Sequence, residues 1–158
     1  MENRFDARGW LREAIGALER ARAAWGRQDW VGLCQAAQLC IEYSAKAVIA
    51  CFAEPQWTHD PSEQLLPLLQ VQVNEIRTRW GEEMLQRLYT LSADSHEAAS
   101  WHGRSTYGGR DAEGRWRFPT DLCTQEVGER LLDAGERSFP TAQQFVTIWF
   151  ADHSGTPK

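Results

Sequence analysis

The sequence predicts an all-α protein, an antiparallel up-and-down bundle of four to five helices with a long loop before a last, proline-kinked helix. Three observations carry this. Apolar residues recur at steps of three and four through most of the chain, which is the period of one helical face. The connector between the first two helices is short, which forces an antiparallel pair. Only one long stretch, His102 to Leu122, lacks a helical period.

The first helix is expected over Asp6 to Gln28, where Ala7, Trp10, Leu11, Ala14, Leu18, Ala21 and Trp25 share a face. Gly26 weakens its end, and Asp29 is placed to accept from the first free amides of the next helix. That second helix, Trp30 to Phe52, is the strongest apolar segment, and its alanines and Ser44 allow close approach by neighbours. Glu42 and Lys46 stand at i and i+4, a pair worth about 0.2–0.5 kcal/mol if exposed. "EPQWTHDPSEQL" then reads as a connector with two prolines, in which Asp60 caps a third helix that starts at Pro61 and reaches toward Arg79, imperfect in its middle. Gly81 with Glu82 and Glu83 opens a fourth, whose apolar face runs from Met84 to His102. The loop that follows carries four glycines and a small hairpin around Asp111 to Gly114. Thr124 caps the final helix, which keeps its period across Pro140.

A chain of 158 residues with 42% apolar and 25% charged residues fits one globular domain over 1–158. No window approaches the roughly 18 apolar residues of a membrane span, and the first residues lack a signal-peptide core, so a cytoplasmic protein without a membrane partner is expected. Cys34, Cys40, Cys51 and Cys123 form no CxxC pair and read as reduced core thiols. A net charge of −5 argues against coating nucleic acid over the whole surface and leaves room for a local basic patch.

His102, Arg104, Tyr107 and Arg110 form the main candidate site. A general acid or base, a guanidinium for phosphate and a stacking ring are delivered together at the end of a helix. The bland alternative is that Arg104 answers the helix dipole while Tyr107 packs as a turn aromatic. His59 reads first as a helix-end hydrogen-bonding residue, with a place in a nucleotide groove as its other role. Arg115 to Phe118 alternate cations and aromatics, which suits either base stacking or, as large aromatics favour, a hairpin that packs Trp116 and Phe118 on the bundle. His96 and His102 are six apart, not at the three or four of helical metal pairs, so no metal and no cofactor is expected. Trp10, Trp25, Trp30 and Trp149 lie on or beside apolar faces, and some are expected at a subunit interface.

The run from Arg8 through Phe52, with its core "A-x-x-x-I-E-x-x-x-K-A" from Ala37 to Ala47, then His59-Asp60 before Leu65 and Leu66, and "GRSTYGG" after helix four, resembles the HEPN family of nucleotide-binding domains. The resemblance implies a homodimer of helical bundles, a nucleotide or RNA ligand, and often a minimal nucleotidyltransferase as partner in a toxin–antitoxin pair. In such a pair Tyr107 is a candidate acceptor of a transferred nucleotide. Cleaving members carry an arginine four to six residues before a histidine, and no histidine here has one. The resulting expectation is a nucleotide- or RNA-binding module using His102, Arg104, Tyr107 and Arg110, supported by Lys46 and His59. The alternatives are a metal-independent RNase acting through His102 and Arg104, and a structural adaptor for a protein partner.

Overall fold

The computed structural model describes the backbone of residues 2–153 and the side chains of residues 6–153. Among them are six helices and one two-stranded hairpin: α1 (Glu2–Gly26), α2 (Trp30–Ile49), α3 (Ser62–Val71), α4 (Val73–Thr106), β1 (Gly109–Arg110), β2 (Trp116–Arg117), α5 (Pro119–Leu122) and α6 (Gln125–His153). The expected all-α bundle is the architecture found. Among the described residues no helix is long and apolar enough to cross a membrane.

Helix α2 is the axis of the bundle, packed by α1, α6, α4 and α3. Asp29 starts it as expected, accepting from the Gly32 amide at 2.9 Å. Its small residues let neighbours come close. At Gly128 of α6 an added methyl would lie 2.7 Å from the buried Leu33 side chain, so glycine sets the α2–α6 separation there.

The stretch expected as a third helix imperfect in its middle is interrupted at Gln72, where the chain leaves helical geometry before resuming at Val73. Gly81 is a second break inside α4, with φ +91° and ψ 166°, a conformation that side chains other than hydrogen resist. Helix α3 begins at Ser62, one residue after the expected Pro61 start, and the Asp60 carboxylate accepts from the Ser62 amide at 3.3 Å. At the other end, α4 runs four residues past His102 into the predicted loop.

The hairpin forms where expected but does not cover its aromatics. Trp116 and Phe118 remain exposed. The reason is local: Asp111 accepts from the amides of Glu113 and Arg115 and from the Arg115 and Arg117 guanidinium groups, so the hairpin closes on itself without the bundle. Gly108, at φ +97°, has to be glycine, because a methyl would lie 2.2 Å from the Arg117 carbonyl oxygen.

Thr124 accepts from the Val127 amide at 3.2 Å and starts α6, which continues through Pro140 as one element. All four cysteines are buried free thiols. The tryptophans divide. Trp149 lies in an aromatic cluster with Phe52, Phe145 and Trp80, and Trp10 lies 5.5 Å from Tyr43, so both are engaged within the chain; Trp25 is half exposed. Phe145 is fully buried at the centre of that cluster. Phe145→Ala is expected to cost about 3–5 kcal/mol, read as a lower denaturant midpoint with an unchanged slope.

Candidate functional site

Helix α2 is apolar on nearly all sides, yet Gln38, Glu42 and Lys46 recur on one of its faces at steps of four. All three are buried. The Lys46 ammonium donates to Glu42 Oε1 at 2.9 Å and Gln38 Nε2 donates to Oε2 at 2.8 Å, so both carboxylate oxygens are engaged. Burial alone would push the Glu42 carboxyl up. The hydrogen bonds and charge of Lys46, the Gln38 amide and His59 outweigh it and hold the group below its ordinary 4.5.

The connector between α2 and α3 closes over this face. Its His59 places Nδ1 3.2 Å from Glu42 Oε2 and lays its ring on His102 of α4, centroids 3.5 Å apart and planes at 13°. His102 Nδ1 stands 3.4 Å from Gln38 Oε1. Because the Gln38 nitrogen is committed to Glu42, its oxygen is the acceptor and His102 carries its proton on Nδ1. Burial, with the neighbouring His59, lowers the His102 pKa from 6.5, which favours the neutral ring near neutral pH. The next residue, Asp60, reaches His96 of α4 at 2.8 Å. The His-Asp dipeptide thus straps the connector to α2 and α4 together.

Beside the strap lies a cleft of about 750 Å³ between the start of α1, α2 and the connector, within the range of small-ligand pockets. Trp10, Tyr43 and Trp57 give it aromatic walls, and Trp57 is fully exposed. The Lys46 ammonium stands 5.2 Å from the centre of the Trp10 ring, within cation–π range. Arg12 lies on the rim, exposed and without an ion pair to any described residue. Asp6, Glu13 and Glu54 also line it.

The structure brings Lys46, His59 and His102 together and separates them from Arg104, Tyr107 and Arg110. Arg104 is two residues beyond His102, about 200° around the helix, and stacks its guanidinium 5.0 Å from the Trp101 ring. Tyr107 is exposed at the end of α4, and Arg110 donates to the Gly114 carbonyl within the hairpin. Sequence reasoning did not assign Gln38, Glu42, Trp10, Trp57 or Arg12 to the site. The signal for the first two was present, since three polar residues at steps of four on an otherwise apolar helix must find partners where they are buried. The cleft depends on how the connector folds back, which periodicity does not encode.

A family model described as HEPN domain matches residues 7–137. No curated protein and no solved structure was found to match the chain.

Glu42→Gln keeps the shape but leaves Lys46 charged and uncompensated in the interior. Such half-broken buried pairs cost about 3–5 kcal/mol, and pairing the change with Lys46→Met is expected to restore most of the loss in urea unfolding. Since the folded state holds the Glu42 pKa below its unfolded value of 4.5, this stabilisation is complete above that pH and lost as pH falls through the lowered pKa. Wild type is therefore expected to lose more stability than the double variant on acidification below about pH 4.5. Equal acid sensitivity in the two proteins would contradict it.

Proposed function

From the premise that this chain belongs to the HEPN domain family, we propose that it is a nucleotide-binding module whose ligand enters the cleft between α1, α2 and the connector. The observation that supports the reading best is the composition of that cleft: rings able to stack on a base stand beside the cations Arg12 and Lys46 and beside His59. The cleft carries four carboxylates, from Asp6, Glu13, Glu42 and Glu54, against those two cations. Glu42 is neutralised by Lys46, but the rim acids disfavour a long polyanion. The ligand is therefore a mononucleotide or the end of a single-stranded RNA, with its base against Trp57 or Trp10 and its phosphate on Arg12. The module acts as a homodimer in a pair with a minimal nucleotidyltransferase, as its family relationship suggests, and Tyr107 stands exposed at the end of α4 for such a partner.

Tryptophan fluorescence during titration with AMP, GMP, CMP and UMP, and with a short single-stranded RNA, tests this. Trp57→Ala and Arg12→Gln are each expected to weaken binding about tenfold without lowering the melting temperature, because both side chains are exposed. Affinities unchanged in both variants would move the site elsewhere.

A second reading, metal-independent RNA cleavage, is favoured by one feature, the stacked His59 and His102 with Glu42 behind His59. Two imidazoles can divide the roles of base and acid, and Lys46, not Arg104, is the cation beside them. On this reading, labelled RNA incubated in chelator is cut by the wild type and left intact by His102→Ala. RNA left whole by folded wild type would sink it.

A further inference from the structure

The strap places three ligand-type side chains in one spot. One donor atom each from Glu42, His59 and His102 lie within 4.8 Å of one another. We propose that these residues form a divalent transition-metal site of the two-histidine, one-carboxylate type, best matched to zinc, with its remaining position open toward the cleft.

The donor set fits that chemistry. Zinc is bound by imidazole nitrogen and carboxylate oxygen at about 2.0–2.2 Å, and open sites keep three protein ligands. Two ligands at those lengths on a tetrahedral ion stand roughly 3.3–3.6 Å apart, by geometry from the same bond lengths. The His59 Nδ1 to Glu42 Oε2 separation is 3.2 Å. A spacing that a proton bridges as a hydrogen bond is therefore also close to the edge of a zinc coordination polyhedron. In the metal-bound form the ion takes the place of the His59 Nδ1 proton, which moves to Nε2 of the same ring, so no proton is lost from a neutral His59.

The surroundings are those that hold metal ligands in place. His102 gives its Nδ1 proton to Gln38 Oε1, leaving Nε2 as its free ligand atom, and an outer carbonyl of this kind fixes the tautomer of a ligating histidine. Gln38 Nε2 steadies the ligating oxygen, and Lys46 occupies the other oxygen, which makes the carboxylate monodentate. In the stacked arrangement the two rings are almost parallel, so their in-plane lone pairs do not converge on one point. Convergence needs His59 to turn, and its side chain is 57% exposed on the connector. The ammonium of Lys46 repels a dication, so the affinity falls below that of a zinc site with no nearby cation.

Metal binding is measured with no nucleotide present, so its failure is distinct from failure of the nucleotide reading. Protein treated with chelator and exchanged into chelator-free buffer is titrated calorimetrically with zinc chloride, and with cobalt(II) for its visible spectrum. The expected result is one ion per chain, a four- or five-coordinate cobalt spectrum without thiolate charge transfer, and a higher melting temperature with zinc. His59→Ala and His102→Ala are each expected to weaken binding by about 100-fold or more, as loss of a direct ligand exceeds the 10–100-fold typical of outer partners. His59→Ala removes a half-exposed side chain and serves where Glu42→Gln fails to fold. Absence of stoichiometric binding, binding equal to wild type in both histidine variants, or a thiolate band that places the ion on the cysteines would each overturn the proposal.

Discussion

The buried pair between Glu42 and Lys46 constrains everything near the site. Two charges inside an apolar helix each lose hydration worth several kcal/mol, and mutual attraction repays this only where the remaining lone pairs are also satisfied. Lys46 and Gln38 supply that on α2 itself. His59 of the connector takes a further position on Glu42 Oε2, at 3.2 Å. The connector therefore folds back over α2 because the carboxylate accepts its histidine, and the cleft exists because the connector folds back. A polar requirement in the core thus sets the shape of a surface.

The same constraint fixes α4. Once His59 is seated, its ring covers His102, while Asp60 holds His96 six residues earlier on the same helix. Two adjacent residues of the connector thereby fasten two points of α4. Apolar packing supplies the rest of the rigidity. Leu85, Leu88 and Leu91 of α4 are buried against the core that α2 shares with α6, and Gly128 sets how closely α6 approaches. Arg137 of α6 adds a bidentate contact to Asp94 of α4 at 2.7 and 2.8 Å. At the site, the exposed side chains are Trp57 and part of His59.

How far the sequence announced this depends on the range of each interaction. Helices α1, α2 and α6 were legible because their apolar residues recur with the helical period over more than five turns. The starts at Asp29 and Thr124 were legible because a capping side chain acts on an amide three residues away. The interruption of the third helix was legible only as an imperfection somewhere in its middle, since nothing in "VQVNE" marks Gln72 as the place. The site divides in the same way. Lys46 and His59 were marked from the chain, but the grouping of His102 with Arg104, Tyr107 and Arg110 followed proximity in sequence, and a helix separates residues two apart by 200°. The partner of His102 is His59, 43 positions earlier and visible only in three dimensions. Glu42 with Lys46 was read as a pair of uncertain exposure, although a helix apolar all round is itself a sign of burial on every side.

The balance of charge then limits what the cleft can hold. A phosphate that approached Lys46 directly would compete with Glu42, which already satisfies that ammonium in a setting where a second anion finds no further counter-charge. Arg12 meets no such competition. On the proposed nucleotide reading, phosphate would therefore favour the rim, with the base directed inward toward Trp10 and Lys46. A cation at the strap inverts this arrangement. A dication held by Glu42, His59 and His102 adds two positive charges beside Lys46, so an anionic group is drawn inward to the same spot that repelled it before. On these two proposals taken together, one carboxylate would decide how a nucleotide sits: paired with Lys46 alone it would turn the phosphate outward, and shared with a metal ion it would turn the phosphate in.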